Sequence, residues 1–170
     1  MAETEEKHGQ VAGGRADAPA ADPVAGLRVL VVDDVATNRQ LLKVFLKRLG
    51  CEVSLAEDGA AGVEMFRQED PDLVLMDVMM PVMDGYEATR RIKALCGSRW
   101  VPVVFVSALD KEENLVAGLA AGGDDYLAKP VNFTVLEAKL RSLVRTLGLQ
   151  RKLEETRRYH ESVTDHVGDC

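Results

Sequence analysis

Short apolar segments alternate with longer amphipathic segments along most of the chain, and this alternation predicts strands followed by helices. The short segments are rich in Val and Leu, and acids, glycines or prolines bound them, as is typical of strands. Five segments are predicted to be strands: Leu27–Val32, Glu52–Leu55, Leu73–Asp77, Val101–Val106 and Asp125–Ala128.

The segments between these strands carry apolar residues three or four positions apart, which predicts helices with one buried face. The first helix is expected over Ala36–Leu49, with Leu41 in its apolar stripe. The second is capped by Asp58 and turns Ala60 inward with its neighbours.

Cap signals locate the other three helices. The third begins at Asp84 and runs to about Cys96, the fourth opens at Asp110, and the fifth begins after Asn132. The fifth is expected to bury five residues: Val135, Leu136, Leu140, Leu143 and Leu147. Five strand–helix pairs in alternation predict an α/β fold, a doubly wound parallel sheet with right-handed crossovers and helices on both faces.

The two ends of the chain lack this alternation. Residues 1–26 are rich in Ala, Gly, Glu and Asp, have no apolar periodicity and are expected to be disordered. Residues 148–170 keep a helical spacing through Leu149, Leu153 and Thr156, but about half of the spaced positions are polar. This helical extension is either a weak coiled coil or a solvent-exposed continuation of the fifth helix.

The composition argues against several classes of function. The net charge of −7 argues against a general nucleic-acid or anionic-membrane surface, and no apolar run approaches the roughly 20 residues that span a bilayer. The three cysteines, Cys51, Cys96 and Cys170, are far apart and predict free thiols in a cytoplasmic protein.

Polar residues follow four of the predicted strands, and a parallel sheet brings such residues to one edge. They are Asp33, Asp34, Asp77, Ser107 and Lys129. Two carboxylates about 4 Å apart repel by on the order of 4 kcal/mol at an effective dielectric constant near 20. Lys129 and a divalent cation, Mg²⁺ or alternatively Mn²⁺, would offset this repulsion. A purely structural ion-pair network is the alternative.

A carboxylate beside a hard cation and an ammonium group suits phosphoryl transfer, with an aspartyl phosphate at Asp77 as the product. Residues 27–147 closely resemble the receiver domain of response regulators in two-component phosphorelays. The resemblance rests on Val31–Asp34, the Met76–Gly85 loop, Ser107-Ala108 and Lys129-Pro130, which are jointly very specific. It implies the flavodoxin-like strand order 2-1-3-4-5.

The resemblance also implies a role for each site residue. Asp77 would be the phosphoacceptor, and Asp34, Asp77 and the backbone carbonyl of Met79 would bind Mg²⁺ directly. Asp33 would bind the ion mainly through water. Lys129 would contact the phosphoryl group.

Ser107 and Tyr126 would form a switch pair that changes the face made by the fourth helix, fifth strand and fifth helix. The implied protein is a regulatory phosphoacceptor rather than an enzyme with separate substrates. Its partners would be a sensor histidine kinase or a histidine phosphotransfer protein. We expect a homodimer through the fifth helix and the extension, no DNA binding by these residues, and an output domain beyond Cys170 or a stand-alone receiver.

Two other functions of this fold would need different residues at the site, and a third stays open. A phosphatase with an aspartyl intermediate would need a second acid two residues after Asp77, where Met79 stands. A flavin-binding module would need a loop rich in Ser, Thr and Gly after the first strand, where Asp33 and Asp34 stand. A dimerisation scaffold that is never phosphorylated stays open.

Overall fold

Strands and helices alternate through the part of the chain that the structure describes. The computed structural model describes residues 22–108 and 111–165, residues 160–165 by backbone alone. The strands are β1 (Arg28–Val32), β2 (Glu52–Ala56), β3 (Leu73–Met76), β4 (Val103–Ser107) and β5 (Asp125–Ala128). The helices are α1 (Ala36–Arg48), α2 (Gly59–Glu69), α3 (Gly85–Cys96), α4 (Glu112–Ala120) and α5 (Phe133–Asp165).

The five strands form one parallel sheet in the order β2-β1-β3-β4-β5, which confirms the predicted doubly wound fold. Val32 lies opposite both Ala56 and Met76 in this sheet. The residues that follow Val32 and Met76 therefore leave the sheet at the same edge, which is the topological reason that distant acids meet there.

Apolar side chains cover both faces of the sheet. On one face, Leu42 and Leu46 of α1 pack with Leu136 and Leu140 of α5. The other face is covered by α2 and α3, and Phe105 lies in that second cluster. All four residues of β3 are buried, as the continuous apolar run predicts for a central parallel strand.

Three side chains predicted to face the core are exposed instead. Val135 is exposed because the buried stripe of α5 runs through Leu136 and Leu140. Leu41 lies about 100° around α1 from Leu42, and it is exposed because the buried stripe runs through Leu42 and Leu46. Ala60 is exposed because α2 turns Gly59 and Val63 inward. The α2 cap is confirmed, since the Asp58 carboxylate accepts the Ala61 amide at 2.7 Å.

Several element boundaries differ from the prediction by one or two residues, including the starts of β4 and α4. β4 begins at Val103 rather than Val101, because Pro102 has no amide hydrogen to give to a ladder. α4 is preceded by Lys111 as its N-cap residue, without a side-chain cap bond, whereas Asp110 lies outside the described residues. The caps at Asp84 and Asn132 are confirmed by bonds from the amides of Glu87, Thr134 and Val135.

Ordered structure begins before the predicted boundary at Leu27. Val24 is completely buried, and the Gly26 amide donates to the Gly50 carbonyl at 2.8 Å. The expectation of disorder is therefore wrong for residues 22–26, because one apolar side chain in a turn is too little for a periodic signal. The expectation for residues 1–21 concerns residues outside the described part of the chain.

α5 runs without a break from the receiver-like segment into the predicted extension. Among the residues that the structure describes, no helix is long and apolar enough to cross a membrane. Cys51 and Cys96 are free thiols, as predicted, and Cys170 lies outside the described range. Burial is the main reason that the pKa of Cys51 is raised to about 11.

Candidate functional site

Three acids meet at the carboxyl edge of the sheet. Asp33 and Asp34 follow β1, Asp77 follows β3, and carboxylate oxygens of all three lie within 4.8 Å of one another. Asp33 and Asp77 are buried, whereas Asp34 is exposed. This is the convergence that the sequence predicts from the strand order.

Lys129, which follows β5, reaches across the sheet edge to two of these acids. Its Nζ atom lies 2.8 Å from an oxygen of Asp33 and 3.4 Å from an oxygen of Asp77. Burial lowers the pKa of Lys129, but its bond to Asp33 and the charges of both acids outweigh burial and raise the pKa overall. Lys129 therefore stays an ammonium group at neutral pH.

Backbone amides hold the two buried carboxylates in place. The second oxygen of Asp33 accepts the Val35 amide at 2.8 Å, and one oxygen of Asp77 accepts the Val78 amide at 2.8 Å. Arg39 was not predicted as part of the site. Its guanidinium donates to the Asp33 backbone carbonyl at 2.7 Å, and only its place in the first turn of α1 would have suggested this.

The surroundings of the Asp77 carboxyl group disfavour its charged form. Burial is the main cause that raises its pKa, to about 6, and the Asp33 charge adds to the rise, while Lys129 and the Val78 amide oppose it. The three carboxylates carry a formal charge of −3 and Lys129 carries +1, which leaves −2. A divalent cation would balance this charge, and an all-oxygen donor set is compatible with Mg²⁺.

Ser107 and Tyr126 lie on the adjacent strands β4 and β5, and β4 is the neighbour of the strand that leads to Asp77. Ser107 ends β4 and is buried, and its backbone carbonyl accepts the Tyr126 hydroxyl at 3.2 Å and the Lys129 amide at 2.9 Å. The predicted switch pair is thus in contact, through the serine backbone. Contact between the Ser107 hydroxyl and a phosphoryl group on Asp77 stays a prediction.

Two cavities flank the acids. One of about 590 Å³ is lined by Asp34, Met79 and Tyr86, among others, and the exposed Met79 side chain borders it. The other, of about 300 Å³, is lined by Asp33 and Lys129. A metal-binding role for the Met79 carbonyl stays a prediction.

The chain resembles known signalling proteins over most of its described length. The family model for the response regulator receiver domain matches residues 29–141. The response regulator PleD of Caulobacter vibrioides is 42% identical over 118 residues, which are 69% of this chain and 26% of PleD. Protein PilH of Pseudomonas aeruginosa is 42% identical over 105 residues, or 62% of this chain and 87% of PilH.

Solved structures show the same likeness. The receiver domain of the sensor histidine kinase PA1611 from Pseudomonas aeruginosa, solved with a magnesium ion in its active site cleft, is 36% identical. It matches with a TM-score of 0.65 over 71% of this chain and 98% of its own. A CheY-like receiver from Methanospirillum hungatei matches with a TM-score of 0.69, 28% identity and coverage of 74% and 99%. This chain belongs to the family of response regulator receiver domains.

Proposed function

We propose that this chain is a phosphorylation-dependent switch in which Asp77 accepts a phosphoryl group in a Mg²⁺-dependent reaction. The donor is the phosphohistidine of a sensor histidine kinase or a histidine phosphotransfer protein. The observation that carries the proposal is the meeting of Asp33, Asp34 and Asp77 with the single ammonium group of Lys129. In this proposal the chain is a regulatory phosphoacceptor rather than an enzyme with separate substrates, because the acceptor of the phosphoryl group is its own Asp77.

The residues that would hold Mg²⁺ are Asp34, Asp77 and the Met79 carbonyl, with Asp33 acting mainly through water. The donor set fits, because the site has an uncompensated charge of −2 and its exposed acid, Asp34, leaves room for water ligands. When bound, the ion would neutralise phosphoryl oxygens and lower the barrier for attack by an anion. Mn²⁺ has the same preference for oxygen and is the proposed substitute.

In the transfer step, an oxygen of the ionised Asp77 carboxylate forms a bond to phosphorus while the bond between phosphorus and the donor imidazole nitrogen breaks. The donor imidazole is protonated on its second ring nitrogen, and it therefore leaves as the neutral ring without taking a further proton. Lys129 stays protonated and holds a phosphoryl oxygen, which places positive charge where negative charge develops. The Val78 amide orients the nucleophile through its bond to the other Asp77 oxygen.

The signal then leaves through Ser107 and Tyr126. The Ser107 hydroxyl moves to the phosphoryl group, and because its carbonyl accepts the Tyr126 hydroxyl, this movement disturbs the tyrosine. The surface formed by α4, β5 and α5 repacks as a result. Phosphorylation adds up to about two negative charges at one point, and charge-assisted hydrogen bonds of about 1.5–3 kcal/mol each can supply the required bias.

The output is control of a homodimer or of an attached output domain through α5 and its extension. Leu149 and Leu153 are exposed on the extension and offer an apolar contact for a second helix. The acidic surface supports no DNA contact by these residues. The site of action is the cytoplasm, where histidine kinases present their phosphohistidine.

The test is phosphorylation of the full chain with acetyl phosphate and Mg²⁺, followed by intact mass and by nuclear magnetic resonance (NMR) with beryllofluoride as a phosphoryl mimic. We expect one added phosphoryl group in the native chain and none in Asp77→Ala or when EDTA replaces Mg²⁺. Asp58→Asn is the matched control, because it removes a carboxylate at the same edge of the sheet and keeps an N-cap oxygen for α2. An unlabelled native chain, or full labelling of Asp77→Ala, would contradict the proposal.

A further inference from the structure

We propose that Asp72 and Arg151 form a clasp that holds the extension of α5, residues 148–165, to the body of the receiver domain. The clasp lies at the opposite end of the sheet from the acids, because Asp72 precedes β3 and Asp77 follows it. This inference concerns the output segment and does not depend on phosphorylation of Asp77.

Asp72 is a buried acid at the amino end of the sheet. Its residue is 7% exposed, and one carboxylate oxygen accepts the Arg28 amide at 2.9 Å. A charge in such a place is stable only if opposite charges or hydrogen bonds compensate for lost water. Asp72 therefore requires positively charged side chains close to its carboxylate.

Three arginines from separate parts of the chain approach this carboxylate. Arg28 in β1 lies 3.8 Å away and Arg99, before β4, lies 3.6 Å away, whereas Arg151 in α5 lies 2.5 Å away. Arg99 is also engaged elsewhere, with Asp70 and with the Pro71 carbonyl. Arg151 is therefore the closest partner, and it is the one that comes from the extension.

The clasp stands where α5 leaves the body. Leu147 is 5% exposed, whereas Leu149 and Leu153 are 64% and 70% exposed. At 100° per residue, these two leucines lie about 200° around the helix from Arg151. Seating Arg151 on Asp72 consequently turns the apolar side of the extension away from the receiver body and toward solvent.

The helix needs such support at this point because Gly148 lies inside it. A glycine in a helix interior costs about 1 kcal/mol relative to alanine, so a helix without tertiary contacts would tend to fray there. Arg151 stands three residues further on and is the first residue of the extension that bonds to the body. The clasp thus keeps the helix intact at Gly148. A movement of α5 can then be transmitted to the extension, because both parts belong to one rigid helix.

Hydrogen exchange of the full chain, read by mass spectrometry over residues 149–158, tests the clasp. We expect Arg151→Ala to exchange about fivefold to tenfold faster in this segment, because a charge-assisted bond that opposes local opening is lost. Lys152→Ala is the matched control, since it removes the same charge from the next residue, and we expect native exchange. Unchanged exchange in Arg151→Ala, or equally fast exchange in both variants, would overturn the proposal.

A second variant tests the part assigned to Gly148. A methyl group added at Gly148 meets nothing within 4 Å, so Gly148→Ala changes helix propensity alone. We expect Gly148→Ala, added to Arg151→Ala, to restore native exchange in residues 149–158. Continued fast exchange in the double variant would overturn the role of the clasp in bridging Gly148. Acetyl phosphate labelling of Asp77 is expected to be native in all these variants.

Discussion

The negative charge of the Asp77 carboxylate is disfavoured by its surroundings. Its side chain is 7% exposed and stands beside Asp33, and the ammonium group of Lys129 only partly compensates for burial and repulsion. The same burial and repulsion that would favour a bound cation therefore destabilise the folded protein while Asp77 is charged and no cation is bound.

We predict that Asp77→Asn raises the free energy of unfolding of the metal-free protein by about 1–3 kcal/mol at pH 8, because the buried charge is removed. The measurement is urea unfolding in EDTA. Mg²⁺ should stabilise the native chain and have little effect on the variant, since a ligand stabilises only the state that binds it. A variant less stable than the native chain in EDTA would contradict this account of Asp77.

The pH dependence of this difference has a definite sign. The pKa of Asp77 is about 6 in the folded state and 3.8 without its surroundings, so the folded state binds the extra proton between these values. The native chain therefore loses stability as pH rises from about 4 to about 6 relative to Asp77→Asn, and the difference is constant above that range. Unfolding curves at pH 4, 5, 6 and 8 measure it.

Helix α3 is joined to the site by the close approach of two backbone segments. A methyl group placed on Gly85, the first residue of α3, would stand 2.0 Å from the Asp77 backbone carbonyl. The Asp84 cap and the Gly85 amide bond to the Val78 carbonyl hold this turn against the end of β3. The first turn of α3 thus fixes the loop that carries Asp77.

We predict that Gly85→Ala lowers stability by about 1–3 kcal/mol, as overpacking does, and slows labelling by acetyl phosphate, because the Asp77 loop must move to make room. Gly148→Ala adds the same methyl group in open space and is expected to be neutral or slightly stabilising. Thermal melts measure the stability of the two variants, and the rate of acetyl phosphate labelling measures the reactivity of Asp77. Native labelling by Gly85→Ala would show that the contact does not position Asp77.

Residues 22–26, which precede β1, pack against the rest of the domain. Val24 is completely buried, its carbonyl accepts the Cys51 thiol at 3.6 Å, and Asp22 forms an ion pair with Arg141 of α5 at 2.9 Å. The segment thereby joins the residue before β2 to the first third of α5.

We predict that a chain beginning at Leu27 is about 2–4 kcal/mol less stable than one beginning at Asp22, because the buried Val24 side chain and its neighbouring hydrogen bonds are lost. A chain beginning at Asp22 should match the full-length chain, since the sequence predicts no fixed structure for residues 1–21. Urea unfolding midpoints compare the three chains. Equal midpoints for starts at Asp22 and Leu27 would refute the contribution of the segment.

Local pattern was sufficient for the order and type of the elements and for the residues that end the strands. Apolar runs ending in Asp33, Asp77 and Lys129 predicted the site because strands of one parallel sheet share an edge. The helix caps at Asp58, Asp84 and Asn132 were also predictable, since each cap depends on two or three neighbouring residues. The strand order itself came from the resemblance to a family.

Contacts between distant segments were decided by the tertiary structure. The burial of Val24, the exposure of Leu41 and the seating of Arg151 on Asp72 each depend on which surfaces lie opposite one another in space. Sequence alone placed a domain boundary at Gly148, because the apolar stripe weakens there, and left open whether the residues beyond it form a coiled coil or continue the fifth helix. The folded chain continues the helix through Gly148 to Asp165. The sequence by itself identified the residues of the acid cluster. Each acid directly follows an apolar run, and the strands of a parallel sheet end at one edge. The pairing of Arg151 with Asp72 joins residues that are distant in the chain, and it leaves no periodic trace in the sequence.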